Sequence, residues 1–258
     1  MRTIAIANNK GGVGKTTSTL NIGVGLANKG KKVLLVDADP QGNLTDNFIN
    51  KNALQGTIKE LIEGNKQAEE VILKNVRNNI DLIPSNNMLN GTETQIINTI
   101  SKETLLLRAL EPIKKNYDYI LIDSAPSLNV LTLNCLTASD EIIIPIQAGY
   151  YSLTGTNDVL KTIAQVKQLI KPTLKIGGVL LTMYDERNNM HKQVLETLQK
   201  HFNSTLYKTI IRRNIKLDEA VSHHLDIYNY DPTSNGAIDY KNLVDEIIEQ
   251  EKALEEVL

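Results

Sequence analysis

Cysteine occurs once in the 258 residues, at Cys135, tryptophan is absent, and there are two phenylalanines and nine tyrosines. A single thiol excludes an internal disulfide and any metal site built from several thiolates. Within its apolar helical segment, Cys135 reads as a small core residue. With so few aromatics, the core must be mainly Ile, Leu and Val, which suits a parallel sheet covered by helices. No apolar run approaches the ~20 residues of a membrane span. The chain opens on a strand rather than on a cleavable leader, so a soluble cytoplasmic protein is expected. Positive charge is not in excess either: the formal net charge is −2, so contact with nucleic acid would need a local patch. His191, His201, His223 and His224 show no metal-ligand spacing with nearby acids and are expected on the surface or in loops. No repeat, low-complexity tract or linker divides the chain, and one domain spanning residues 1–258 is expected.

What is present is an alternation of strand and helix. Apolar runs at Thr3–Asn8, Lys32–Asp37, Ile80–Pro84, Tyr117–Asp123, Glu141–Ile146, Lys175–Met183 and Thr205–Ile211 read as strands. Helical spacing marks Thr16–Asn28, Leu89–Lys115 with a break near Ser101, Asn129–Ala138, Ser152–Lys171, Asn188–Phe202 and Gly236 to the end. Residues 44–78 read as short helices with polar joints, and Asp218–His223 as a helical turn. The pattern predicts an α/β fold with one doubly wound, mostly parallel sheet and helices on both faces.

The stretch Asn8–Thr17, N-N-K-G-G-V-G-K-T-T, lies between the first strand and the first helix. That is the context of a phosphate-binding P-loop, with Asn9 where the usual motif has its first glycine. Gly11, Gly12 and Gly14 let the backbone N–H groups approach phosphate oxygens, and the helix that follows adds its positive end. Lys15 is expected to reach the β- and γ-phosphates, Thr16 to ligate Mg²⁺ and Thr17 to contact the α-phosphate. Asp123 closes an apolar strand and is a candidate for holding the metal through water. Asp39, in the polar loop Asp37–Asn43, is a candidate for ordering the attacking water or the metal. Asp37 reads equally as a site acid or as a loop-stabilising cap. Asp118 and Asp140 flank strands and read as turn or cap residues.

The stretch Lys10–Thr17 resembles the deviant Walker A box of the ParA/MinD superfamily of P-loop ATPases. Asp37–Asn43 and Ile120–Ser127 resemble that family's second and third boxes. Asp140–Gln147, Tyr150-Tyr151, Gly178–Tyr184, Arg213-Asn214, Glu219-Ala220 and Asp231-Pro232 extend the likeness over nearly the whole chain. It is closest to the short ParA proteins of the Soj type, since no helix-turn-helix domain precedes the P-loop strand. The resemblance implies an ATP- and Mg²⁺-dependent ATPase, weak alone, that forms a homodimer with ATP. It also implies non-specific DNA binding by the dimer and stimulation by a ParB-like centromere-binding protein in plasmid or chromosome partitioning. Lys10, as the signature lysine, would cross the interface to the partner's ATP, and Val13 would complete the loop. Met183 and Asn214 would belong to the adenine pocket. The physical case for Lys10 stands beside this: two facing triphosphates repel unless cations are added, so a lysine donated in trans makes ATP a dimerisation switch. Thr233 and Asn235 depart from the family, occupying positions where many relatives carry basic residues linked to DNA.

Between Thr197 and Leu217 there is no acid, while Lys200, Lys208, Arg212, Arg213 and Lys216 are present. In a chain of negative net charge this is a candidate DNA-binding surface, salt-sensitive and nucleoid-associating. Arg213 reads alternatively as support for the nucleotide site. No membrane association is expected: the last helix carries Asp239, Asp245, Glu246, Glu249, Glu251, Glu255 and Glu256 against Lys241 and Lys252, which anionic lipid would repel. The other reading of the same switch is a ParA-like ATPase that positions a protein cargo rather than DNA. A nitrogenase-like iron protein would need paired cysteines, and a tyrosine-kinase relative would need a tyrosine-rich tail; neither is present.

Overall fold

The computed structural model describes residues 1–50, 54–127, 129–149 and 152–255. Seven strands form one sheet in the order β3-β4-β2-β5-β1-β6-β7. They are β1 (Arg2–Ile6), β2 (Val33–Ala38), β3 (Leu73–Arg77), β4 (Ile80–Ile83), β5 (Tyr119–Ser124), β6 (Glu141–Gln147) and β7 (Lys175–Thr182). All pair in parallel except β3, which runs antiparallel to β4 at one edge.

Alternation along each strand sends side chains to opposite faces. Ala5, Leu34, Val36, Ile120 and Ile122 belong to one apolar cluster, with Leu131, Ile163, Val194 and Leu198 from the helices Val130–Ala138, Ser152–Leu169 and Asn189–Phe202. Ile4, Ile6, Val33, Leu35 and Leu121 belong to the other, with Leu20 and Val24 of the helix Lys15–Asn28 and Leu243, Val244 and Ile247 of the helix Asn235–Glu255. The acidic C-terminal helix therefore spends its apolar face on the sheet side of the molecule. Cys135 is buried in the core as expected.

Three elements differ from their sequence patterns. Residues 73–77 form strand β3, not part of a helical run: the segment is half-exposed, and its pairing with β4 overrides a weak local signal. Leu89–Lys115 is divided into short helices and 3₁₀ turns, with Ser101 in the left-handed region at φ 54° between them. Thr205–Ile211 is not a strand. It runs beside β7 in irregular backbone, with Tyr207 N donating to Val179 O (2.9 Å) and Ile211 N to Leu181 O (2.9 Å). Tyr207 packs its ring over Gly178, where an added Cβ would lie 2.1 Å from the ring, so the contact is made by side chain over backbone rather than by a regular ladder. Among the described residues no helix is long and apolar enough to cross a membrane.

Candidate functional site

Register brings the site together. Ile6 pairs with Asp123, and Asp37 also pairs with Asp123, so β1, β5 and β2 end level with one another at their carboxyl ends. Beside β1 the order of strands reverses, with β5 on one side and β6 on the other, which is where open α/β sheets place their ligand crevice.

The loop from β1 to the helix Lys15–Asn28 is pinned at its base. Asn8 Nδ2 donates to Pro145 O (2.8 Å), Lys10 N donates to Asn8 Oδ1 (3.1 Å), and Thr182 Oγ1 donates to Val13 O (2.9 Å). Gly12 and Gly14 sit at φ 71° and 89°, a region only glycine occupies cheaply. A Cβ at Gly11 or Gly12 would meet nothing, so the rim of the loop is open for a ligand to approach its backbone. Val13, by contrast, is buried beneath it.

Lys15 is only 6% exposed, and its ammonium donates to the carbonyl of Lys10 (3.0 Å). Burial lowers its pKa, against the opposing pull of Asp123 and Asp39. Thr16 Oγ1 donates to Asp123 Oδ2 (2.7 Å) and Thr19 Oγ1 to Asp123 Oδ1 (3.3 Å), so the helix and β5 are joined through this carboxylate. Asp123 is fully buried; burial raises its pKa, and the charge of Asp37 raises it further. Asp37 is raised too, first by burial, although Thr45 and the Asp39 amide hydrogen-bond to its charged form. Its carboxylate accepts from Thr45 N (2.8 Å), Thr45 Oγ1 (2.7 Å) and Asp39 N (3.2 Å). Asp37 is thus fully used in shaping its loop, which selects the capping alternative for it. Asp39, 8% exposed, accepts from the nearby amide of Gln41 (2.9 Å).

The residues fit a nucleotide with magnesium on chemical grounds. The oxygen donors are hard: one hydroxyl and two carboxylates, with phosphate and water left to complete a coordination shell. Among the described residues no group of three or more His, Cys, Asp or Glu converges elsewhere or here, so nothing competes as a transition-metal site. Thr19 and Thr45 were not singled out by sequence. The signal for Thr19 is its spacing four residues after Lys15, on the helix face turned to β5.

Beside the loop lies a cleft of about 480 Å³ bordered by Gly14, Thr17, Met183, His191, Arg213 and Asn214. Met183 and Asn214 therefore stand in one cleft with the P-loop. Asn214 Oδ1 caps the helix Ile215–Ser222 by accepting from Lys216 N (2.9 Å). His191, expected on the surface or in a loop, instead lines this cleft from the helix Asn189–Phe202; its helical spacing gave no sign of what the first turn would face.

The basic stretch is acid-free in sequence and not in space. Arg212 makes a forked contact with Asp239 (2.6 Å at its shortest), and Lys216 pairs with Glu219 (2.8 Å). The backbone N–H groups of Lys208 and Thr209 donate to the Glu246 carboxylate (2.8 and 3.0 Å). Lys200, Lys208 and Arg213 are exposed with no side-chain acid partner among the described residues. Lys10 is half-buried at the loop rim, and its ammonium likewise has no acid partner among the described residues. Tyr150-Tyr151 lies outside the described residues.

A protein-family model described as an AAA domain matches residues 1–176. The chain is 46% identical over 245 residues to the sporulation initiation inhibitor protein Soj of Bacillus subtilis (strain 168), covering 95% of this chain and 97% of that protein. It is 39% identical over 255 residues to the chromosome partitioning protein ParA of Caulobacter vibrioides (strain NA1000 / CB15N), covering 98% and 96%. Its fold superposes with a TM-score of 0.84 on the solved structure of cobyrinic acid a,c-diamide synthase from Mycobacterium smegmatis with bound ATP analogue and magnesium. The two are 32% identical, with 98% of this chain and 96% of that one covered.

Proposed function

Since the chain belongs to the AAA-domain family, as a ParA/Soj-type P-loop ATPase, we propose that it is the ATP-dependent switch of a DNA-partitioning system, acting as one ATPase domain over residues 1–258. The observation that carries this is the convergence of Lys15, Thr16, Asp123 and Asp39 at the ends of three adjacent strands, with Lys10 at the outer rim. Lys15 leaves the Lys10 carbonyl for the β- and γ-phosphates, and the backbone of Gly11 to Thr16 with the Thr17 hydroxyl cradles the rest of the chain of phosphates. Thr16 and Asp39 would hold Mg²⁺, and Asp123, which accepts from the Thr16 hydroxyl, would support it. Bound magnesium would supply positive charge to the phosphate oxygens as the γ-phosphoryl group leaves. Asp39 also orients the attacking water, and Met183 and Asn214 border the adenine.

Lys10 acts across a homodimer. Each protomer's ATP carries a large negative charge, which the partner's Lys10 neutralises only in the two-nucleotide assembly. Hydrolysis followed by loss of phosphate lowers that charge and releases the dimer. Turnover is slow alone and faster with DNA and a ParB-like partner, and the dimer rides non-specifically on nucleoid DNA through Lys200, Lys208 and Arg213, with Arg212 and Lys216 at the margin. The comparison that supports this reading is the partitioning name of the Caulobacter vibrioides relative, with which it shares most of its length. The test is DNA binding and sizing with ADP, ATP and a non-hydrolysable analogue. A dimer that binds DNA only with the triphosphates supports the proposal, and a monomer in all three states rejects it.

A further inference from the structure

His191 has one hydrogen-bonding direction fixed. The backbone N–H of Asp185 points at its Nδ1 (3.0 Å), and an amide N–H can only donate. Nδ1 is therefore the unprotonated acceptor, and the neutral ring carries its proton on Nε2. An imidazolium would set two donors against each other at this contact.

That contact holds a turn that needs holding. Met183, immediately after β7, sits in the left-handed region at φ 54°, a strained conformation for a residue with a Cβ. The turn is tied to its surroundings on three sides. Thr182 Oγ1 donates to Val13 O of the P-loop, and Tyr184 exchanges backbone bonds with Ile211 (3.1 Å) and Arg213 (2.8 Å). The third tie is Asp185 N to His191, with the Tyr184 ring 6.1 Å from the imidazole. Both Met183 and His191 border the cleft beside Gly14 and Thr17.

We propose that His191 is a positioning residue for nucleotide binding: by accepting from Asp185 it holds the Met183 turn as the wall of the cleft. This rests on the nucleotide reading of the cleft.

The test is the affinity of the full-length protein for fluorescent ADP and for ATP at pH 8, with turnover at saturation measured beside it. His191→Ala is expected to weaken binding by about fivefold to tenfold at pH 8, the worth of one hydrogen bond, with kcat within about twofold of the parent. His191→Asn keeps an acceptor oxygen that does not titrate, and is expected to restore most of the affinity. The decisive readout is the rescue: His191→Asn should bind both nucleotides within about twofold of the parent while His191→Ala does not. No rescue by His191→Asn, or full affinity in His191→Ala, overturns the proposal while leaving the ATPase reading intact. A parent protein that binds neither nucleotide at pH 8 overturns both.

Discussion

Replacing Asp123 by Asn separates folding from function at the scale of one residue. The carboxylate is buried beside Asp37 with two hydroxyl donors, and its pKa is raised. A raised carboxyl binds protons more tightly in the folded chain than in the unfolded one. Stability is therefore gained at low pH and lost as pH rises from the ordinary carboxylate range, about 4, towards neutrality. Without nucleotide or Mg²⁺, Asp123→Asn should raise the melting temperature at pH 7.5 by at least about 2 °C, the effect of roughly 1 kcal/mol in a chain of this size. The same variant should show no measurable turnover. A melting temperature that falls at pH 7.5 would show that the buried charge is compensated. Asp123 and Asp39 were legible from sequence because each ends or follows a strand at the P-loop crevice. Thr45, which gives Asp37 two of its three hydrogen bonds, was not, since the contact depends on a turn of helix eight residues away.

At the scale of elements, the P-loop helix carries two glycines in its interior that a helical pattern tolerates but does not explain. The packing explains them. A Cβ at Gly25 would lie 2.6 Å from the Tyr228 hydroxyl oxygen and 2.7 Å from Val244, and one at Gly23 would lie 2.6 Å from Leu35. The helix runs against β2 on one side and the C-terminal helix on another with no room for a methyl group. Gly25→Ala should destabilise the protein by about 1–2 kcal/mol, because overpacking outweighs the ~1 kcal/mol gained in helix propensity. Urea denaturation at unchanged m-value measures it, and a stabilised variant would mean that the C-terminal helix yields easily. The basic stretch is an element whose sequence misled in a different way. Its lack of acids is real along the chain, but Asp239 and Glu246 arrive from the C-terminal helix, and Glu219 from the next turn of the helix that carries Lys216. Arg212→Glu would set two acids against each other at a buried Asp239 and should lower stability before any DNA contact is considered. Lys200→Glu with Lys208→Glu should instead leave the melting temperature within about 1 °C and weaken DNA binding, with a shallower dependence on salt. Unchanged DNA affinity in that double variant removes the surface from consideration.

Over the whole molecule, the parallel sheet and its helical layers could be read from the alternation of apolar runs, because strands buried on both faces write themselves as continuous Val, Ile and Leu. The antiparallel edge strand and the irregular backbone of Thr205–Ile211 could not, since half-exposed edge segments carry mixed patterns. The outward half of the P-loop is where sequence, fold and function meet. Lys15 is buried and turned inward, whereas Lys10 stands at the rim with no acid partner among the described residues. That asymmetry is the basis of the proposed ATP-gated dimer. Its most direct test is the mass in solution of the parent protein and of Lys10→Ala, each with a non-hydrolysable ATP analogue and Mg²⁺, with nucleotide binding measured on the same samples. The parent should be a dimer and Lys10→Ala a monomer that still binds the analogue. A Lys10→Ala protein that dimerises as the parent does would contradict the account.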